Sequence, residues 1–172
     1  MKVALLSDTH GTIDPTWAER FSGCDEIWHA GDFGSLQVAE ALQKLAPLRG
    51  VYGNIDGPEI RRAFPEHLRF EVEGISIWMT HIGGQPKKYP KEIRQQLQQS
   101  PPDLFVCGHS HIVRAERDRF GVFHINPGAC GHEGFHLINT AMLLELSPRK
   151  VTSLRILEFG PRGGKSSSAR MP

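Results

Sequence analysis

Short apolar runs, each ending in carboxylate, amide or imidazole side chains, constrain this chain more than any other feature. Val3 to Ser7 leads into Asp8-Thr9-His10, Glu26 to His29 into Ala30-Gly31-Asp32, and Leu48 to Tyr52 into Gly53-Asn54-Ile55-Asp56. Further along, Ile75 to Thr80 precedes His81, and Leu104 to Cys107 precedes Gly108-His109-Ser110-His111. Ligands in α/β folds gather beyond the carboxyl ends of parallel strands, so this placement predicts one shared site. Carboxylate, amide oxygen and imidazole together suit borderline to hard divalent metals. No thiolate joins them, which argues against a structural zinc site. In Asp8-x-His10 and His109-x-His111 an extended backbone would aim both side chains to one side. Gly31, Gly53 and Gly108 leave room for close backbone approach.

The intervening segments predict how the runs are connected. Asp14 as N-cap with Pro15 in the first turn starts a helix leading into Trp17 to Phe21. Ser35 caps a second helix over Leu36 to Leu45, where apolar residues recur at helical spacing. Strand, helix, strand, helix, strand implies parallel pairing with right-handed crossovers. After that, Leu68 to Val72 and Ile75 to Thr80 read as a hairpin around Glu73-Gly74. A polar helix over Pro90 to Gln99 precedes the Leu104 strand, and further strands are expected around 113–117, 122–125, 141–146 and 151–157. The sum is two stacked, mostly β sheets with helices outside, parallel in the first half of the chain and antiparallel later. Residues 160–172, rich in Gly, Ser and Pro, lack core-forming side chains and read as a disordered tail.

The remaining composition narrows the setting. A length of 172 residues fits one domain with its own core. The formal charge of +1 gives no field that favours nucleic acid or an anionic membrane. Cys24, Cys107 and Cys130 are odd in number and scattered, so neither a disulfide framework nor a zinc pair is expected and a reducing compartment is the simpler reading. The apolar run before Asp8 is too short for a signal peptide, and no stretch approaches the roughly 20 apolar residues of a membrane helix. These readings together place the protein in the cytoplasm.

The ordered pattern D-x-H, G-D, G-N, isolated H and G-H-x-H resembles the calcineurin-like metallophosphoesterase superfamily. The short chain is similar to its small bacterial and archaeal phosphodiesterase branch, which is related to the retromer scaffold subunit. The resemblance runs from Lys2 to about Leu157 and includes Asn126-Pro127-Gly128-Ala129, similar to that branch's N-P-G-S segment. It implies an α/β fold, a four-layer αββα sandwich of two mixed β-sheets flanked by helices, over residues 1–159. It also implies two divalent ions: Asp8, His10 and His111 on the first, Asn54, His81 and His109 on the second, and Asp32 bridging them. Manganese leads the expected metals, with Fe, Ni, Zn and Mg also suited to such ligands. Asp32, Asn54, His81 and Asp56 are the expected catalytic group, with Asp56 supporting the ligands from behind.

The chemistry expected is hydrolysis of a small phosphate ester by hydroxide held between two ions about 3.5–4 Å apart. Two departures from larger relatives bear on it. Ser35 stands where many have the second acid of G-D-x-x-D, and Ile55 replaces the histidine of G-N-H-[DE] that helps protonate the leaving group. Isoleucine transfers no proton, so diesters and activated aryl esters are expected to exceed simple monoesters. The segment Cys130-Gly-His-Glu-Gly-Phe-His136 also departs from the branch, and His132 or His136 is a candidate for phosphate contact against the plainer reading of a surface loop. His29 divides evenly between ligand support and packing, His124 reads as structural, and Arg61-Arg62 and Lys87-Lys88 read as solvated charge or a phosphate entrance. The alternative function is a catalytically weak scaffold that binds proteins. The complete ligand set favours the enzyme, and self-association of relatives makes a homo-oligomer a further expectation.

Overall fold

The computed structural model describes residues 1–163. The first half runs β1 (Lys2–Leu6), α1 (Trp17–Arg20), β2 (Glu26–His29), α2 (Leu36–Gln43), β3 (Leu48–Gly50) and α3 (Pro58–Ala63). The second half runs β4 (His67–Val72), β5 (Ile75–Thr80), α4 (Lys91–Gln99), β6 (Leu104–Val106), β7 (Val113–Arg117), β8 (Phe123–Pro127), β9 (Ile138–Ser147) and β10 (Lys150–Pro161). One sheet has the order β10-β9-β1-β2-β3 and the other β4-β5-β6-β8-β7.

The near-continuous apolar run of β1 follows from burial on both faces. Ala4 and Leu6 enter a core with Trp17, Val38, Leu42 and Ile60 from the first three helices. Val3 and Leu5, pointing the other way, meet Ile77, Met79, Leu104 and Ile125 of the opposite sheet. On that sheet's outer face Trp78 and Phe105 are covered by Ile93 and Leu97, one turn apart on α4. Helices, sheet, sheet and helix thus stack as the expected αββα sandwich.

Several expectations need correction. The second half is not simply antiparallel: β5, β6 and β8 run parallel, because α4 returns the chain between β5 and β6 and the antiparallel β7 returns it between β6 and β8. Thr16, not Asp14, caps α1, since Asp14 Oδ1 instead accepts from Thr16 N and Oγ1 at 2.8 and 2.6 Å in a local turn. The helix α3, opened by Pro58 in its first turn, was not anticipated. Its Pro58 was a readable start signal, but only Ile60 is buried in so short a segment, and a single apolar position has no period. Strand β10 pairs with β9 as far as Pro161, past the 160 boundary of the expected tail. The rest of that segment, 164–172, lies outside the described residues. No helix among the described residues is long and apolar enough to cross a membrane.

Candidate metal centre

The loops after β1, β2, β3, β5 and β6 bring every expected ligand together. Asp8, His10 and His111 form one group, and Asp32, His81 and His109 a second, with ligand atoms in each within 4.8 Å of one another. Asn54 joins the second group, its Oδ1 3.0 Å from His81 Nε2. Asp32 Oδ2 lies 3.2 Å from His81 Nε2 and 3.8 Å from His10 Nε2, between the groups.

The backbone reason for this convergence differs from the expected extended pairs. Asp8, His10, His109 and His111 all have positive φ, at 54°, 48°, 66° and 57°, and Asp32 joins them at 59°. Left-handed backbone at non-glycine residues costs on the order of 1–3 kcal/mol each and persists only where its surroundings impose it. Here cross-loop bonds do so, including Asp8 N–H to Gly31 O at 2.9 Å and His10 N–H to Asp32 O at 3.1 Å. Gly53 is required for a separate reason: a Cβ there would overlap Asp32 Oδ1.

Asp8, Asp32, His81 and His111 are each held by the far side, leaving one atom forward. Asp8 Oδ2 takes Ser7 Oγ–H at 2.6 Å and His109 N–H at 3.0 Å. Asp32 Oδ1 takes Ile55 N–H at 3.1 Å. His81 Nδ1–H donates to Ala30 O at 2.8 Å, which leaves Nε2 bare. His111 Nδ1 meets His136 Nδ1 at 3.1 Å, and His136 Nε2 lies 3.0 Å from both Gly131 O and Asn139 Oδ1. With protons assigned from that network, His136 donates through Nε2, His111 donates through Nδ1, and His111 Nε2 is bare. That bare nitrogen faces Asp8 Oδ1 at 3.1 Å. Asp8 Oδ1 and His10 Nε2 are both buried without a hydrogen-bond partner among the described residues. Carboxylate and imidazole atoms crowded together in this way suit a divalent metal, which would take the place of the protons they otherwise share.

Without a metal, the carboxylates and imidazoles shift one another. Burial alone would raise the Asp8 carboxyl, but His10, His111, the His81 charge and Ser7 outweigh it and hold it well below the usual carboxylate range. Asp32 is also lowered, against its burial, by His81 and the Ile55 N–H. His81 is raised despite burial, through Asp32 and Asp8, whereas burial and the His81 charge lower His109.

Behind the ligands stand residues the sequence resolved less well. Asp56 accepts from Gly34 N and Gly53 N at 2.8 Å and from Phe33 N at 3.2 Å, tying the second and third ligand loops together. Asn126 Nδ2 donates to Gly108 O at 2.7 Å, and its Oδ1 accepts Gly128 N–H at 2.9 Å, pinning the G-H-S-H loop. The similarity of Asn126-Pro-Gly-Ala to a family segment was the signal for it. His29, pushed down to about 3 by burial, stays neutral, accepts Gly31 N–H at 3.2 Å and meets Thr9 Oγ1 at 3.0 Å. His124 lies against Tyr89 and Cys107, away from the ligands. Burial pushes the Cys107 and Cys130 thiols up to about 12, so neither is a nucleophile at neutral pH. Arg61 reaches Asp56 O at 2.7 Å and Gly53 O at 3.1 Å, bracing the Asn54 loop, whereas Lys87 and Lys88 are exposed. The bond from His136 to His111 was missed, because no local pattern reveals a partner 25 residues away.

Comparison with known proteins agrees with this geometry. The calcineurin-like phosphoesterase superfamily domain matches residues 1–149. A probable metallophosphoesterase of Methanothermobacter thermautotrophicus is 28% identical over 139 residues, covering 75% of this chain and 77% of that protein. One from Mycoplasma genitalium is 31% identical over 137 residues, covering 75% and 77%. Among solved structures, an archaeal phosphodiesterase shares the fold at TM-score 0.71 and 23% identity, over 92% of this chain and 100% of that one. Wild-type Vps29 from Entamoeba histolytica, complexed with zinc, does so at 0.72 and 18%, over 92% and 98%. This chain belongs to the calcineurin-like phosphoesterase superfamily.

Proposed function

We propose that this protein is a phosphodiesterase that works with two divalent metal ions, manganese foremost, in the cytoplasm. Asp8, His10 and His111 would hold the first ion, Asn54, His81 and His109 the second, and Asp32 both. When bound, such a pair supplies hydroxide at neutral pH and offsets the negative charge of the ester. The observation that carries the reading is the position of Asp32 Oδ2, 3.2 Å from His81 Nε2 and 3.8 Å from His10 Nε2, one carboxylate oxygen addressing both groups.

The chain's own residues orient and restrict. Ala30 O and the His136 network aim the Nε2 atoms of His81 and His111 forward. Asp56 holds the second and third loops in register, so its part is positioning. Ile55 contributes its N–H to Asp32, and its aliphatic side chain is 47% exposed. A simple monoester leaving as alkoxide finds no proton donor there, whereas a diester with a stabilised leaving group needs none.

The test is an assay of metal-stripped protein on matched mono- and diesters, with Mn²⁺, Ni²⁺, Zn²⁺ or Mg²⁺ restored and metal counted per chain. Activity that returns with two ions per chain and favours diesters is expected. Activity indifferent to stripping, or faster turnover of alkyl monoesters, rejects the reading. A scaffold role is favoured by one observation, the exposed apolar patch of Phe135, Leu137 and Ile138 beside His136. Loaded protein without turnover of any ester would turn the reading that way.

A further inference from the structure

A cavity of about 350 Å³ opens beside the second ligand group, with Asn54 and His81 lining it and no residue of the first group on its walls. Small-molecule sites enclose roughly 300–1,000 Å³, so it can hold a bulky substituent in addition to a phosphate at the metals. Its outer walls come from Tyr52 and Arg61 on one side and from α4 on the other, where Glu92, Ile93 and Gln96 face in. Ile82 and Pro90 complete an apolar strip.

The charges lining it decide which substituent fits. Glu66 and Glu92 contribute two carboxylates, and Arg61 contributes one guanidinium. That guanidinium is partly engaged: its Nε donates to Asp56 O and its Nη2 to Gly53 O and Asn54 O, and it lies 4.3 Å from the centre of the Tyr52 ring. Glu66 in turn accepts the Tyr52 hydroxyl at 2.9 Å. An anionic substituent would therefore meet two carboxylates against one guanidinium that already spends its Nε and Nη2 donors on main-chain carbonyls. A neutral group with an apolar face and polar edges would find Ile82, Ile93 and Pro90 for the face and Gln96 and Glu92 for the edges.

We propose that this cavity receives one alcohol substituent of a phosphodiester, a group of nucleoside size that carries no negative charge of its own. The inference rests on the phosphodiesterase reading and names its substrate class. It also separates the two ends of the site: the ester's large arm lies on the Asn54 and His81 side, and its small arm on the His10 and His111 side.

The experiment compares kcat/KM for three p-nitrophenyl diesters: those of methanol, thymidine 5′-hydroxyl, and thymidine 5′-hydroxyl with a 3′-phosphate. The thymidine diester should exceed the methyl diester by about tenfold or more, the gain of a filled apolar pocket, and the 3′-phosphate should cancel most of it. Gln96→Trp, which fills the cavity from α4, should bring the thymidine-to-methyl ratio close to one. Gln98→Trp, on the same helix outside the cavity, should leave that ratio as in the parent. Glu92→Lys should shift preference toward the 3′-phosphorylated diester. Equal kcat/KM for methyl and thymidine diesters, or the same ratio change from Gln96→Trp and Gln98→Trp, overturns the proposal. If no diester turns over, the enzyme reading fails by itself, and amide shifts on adding thymidine then judge the cavity. Shifts gathered at Ile82, Ile93 and Gln96 support it, and their absence overturns it.

Discussion

The two ligand groups are built by different means. The first, Asp8, His10 and His111, consists entirely of residues at positive φ and, apart from the His109 N–H on Asp8, leans on side chains: Ser7 on Asp8, and His136 on His111. His136 is itself held by Asn139, whose amide reaches His132 at 2.9 Å. The second group leans mainly on main chain, with Ala30 O on His81 and Ile55 N–H on Asp32. A brace made of side chains can be edited by substitution, whereas one made of main chain moves only when the loop moves. The first group is therefore the tunable half of the centre. The second is the fixed half, and the half that borders the cavity.

Asp32→Asn should have the largest effect, because that carboxylate serves both halves. A loss in kcat/KM of about 10²–10³ or more is expected, as for removal of a principal electrostatic group. Activity within tenfold of the parent would mean the halves act independently of Asp32. His136→Ala comes next and probes the asymmetry directly. Orienting partners of metal-bound histidine are worth about 10–100-fold in affinity, so the first-group constant in chelator competition should weaken by that factor while the second-group constant persists. Equal weakening of both would erase the distinction drawn above.

Asp56→Asn should act on the opposite half. It sets an amide against main-chain donors that now share a carboxylate, at a cost of about 1.5–3 kcal/mol, read by chemical denaturation. Second-group affinity should fall more than first-group affinity, the reverse of His136→Ala. The smallest change is expected from Ile55→His. An unsupported histidine at an exposed position should raise monoester turnover only severalfold, well short of the roughly 10²–10⁴-fold of a positioned acid. No change in the monoester-to-diester ratio would show that Ile55 does not set ester preference.

Much of the fold was legible because strand burial writes itself into local composition. The β1 and β6 runs are apolar at every position since both faces are covered, and Glu73-Gly74, at φ 53° and 70°, carries the left-handed pair of a tight hairpin turn. Less legible were features with little local pattern. Parallel pairing of β5, β6 and β8 depends on where α4 and then β7 deliver the chain, and α3 is too short for a period. At the metal centre the ligand types and their order were readable, but the reason offered for the Asp8 and His10 geometry was not the one observed. Propensity places neither Asp nor His at positive φ by default, so extended backbone was the natural expectation.

The sequence by itself, with the resemblance it carries, determined the candidate ligands, their order and grouping and the family, because carboxylate, amide and imidazole at strand ends are local chemistry. Tertiary structure alone decided which atom of each faces forward and what stands behind it. Those decisions belong to contacts between distant segments: His111 with His136, Asp56 with Gly34, and Ser7 with Gly128 across 121 positions of chain. Packing of the two sheets holds the ligand loops in a backbone conformation they would not adopt alone, and the second group acquires its adjoining cavity from the same packing.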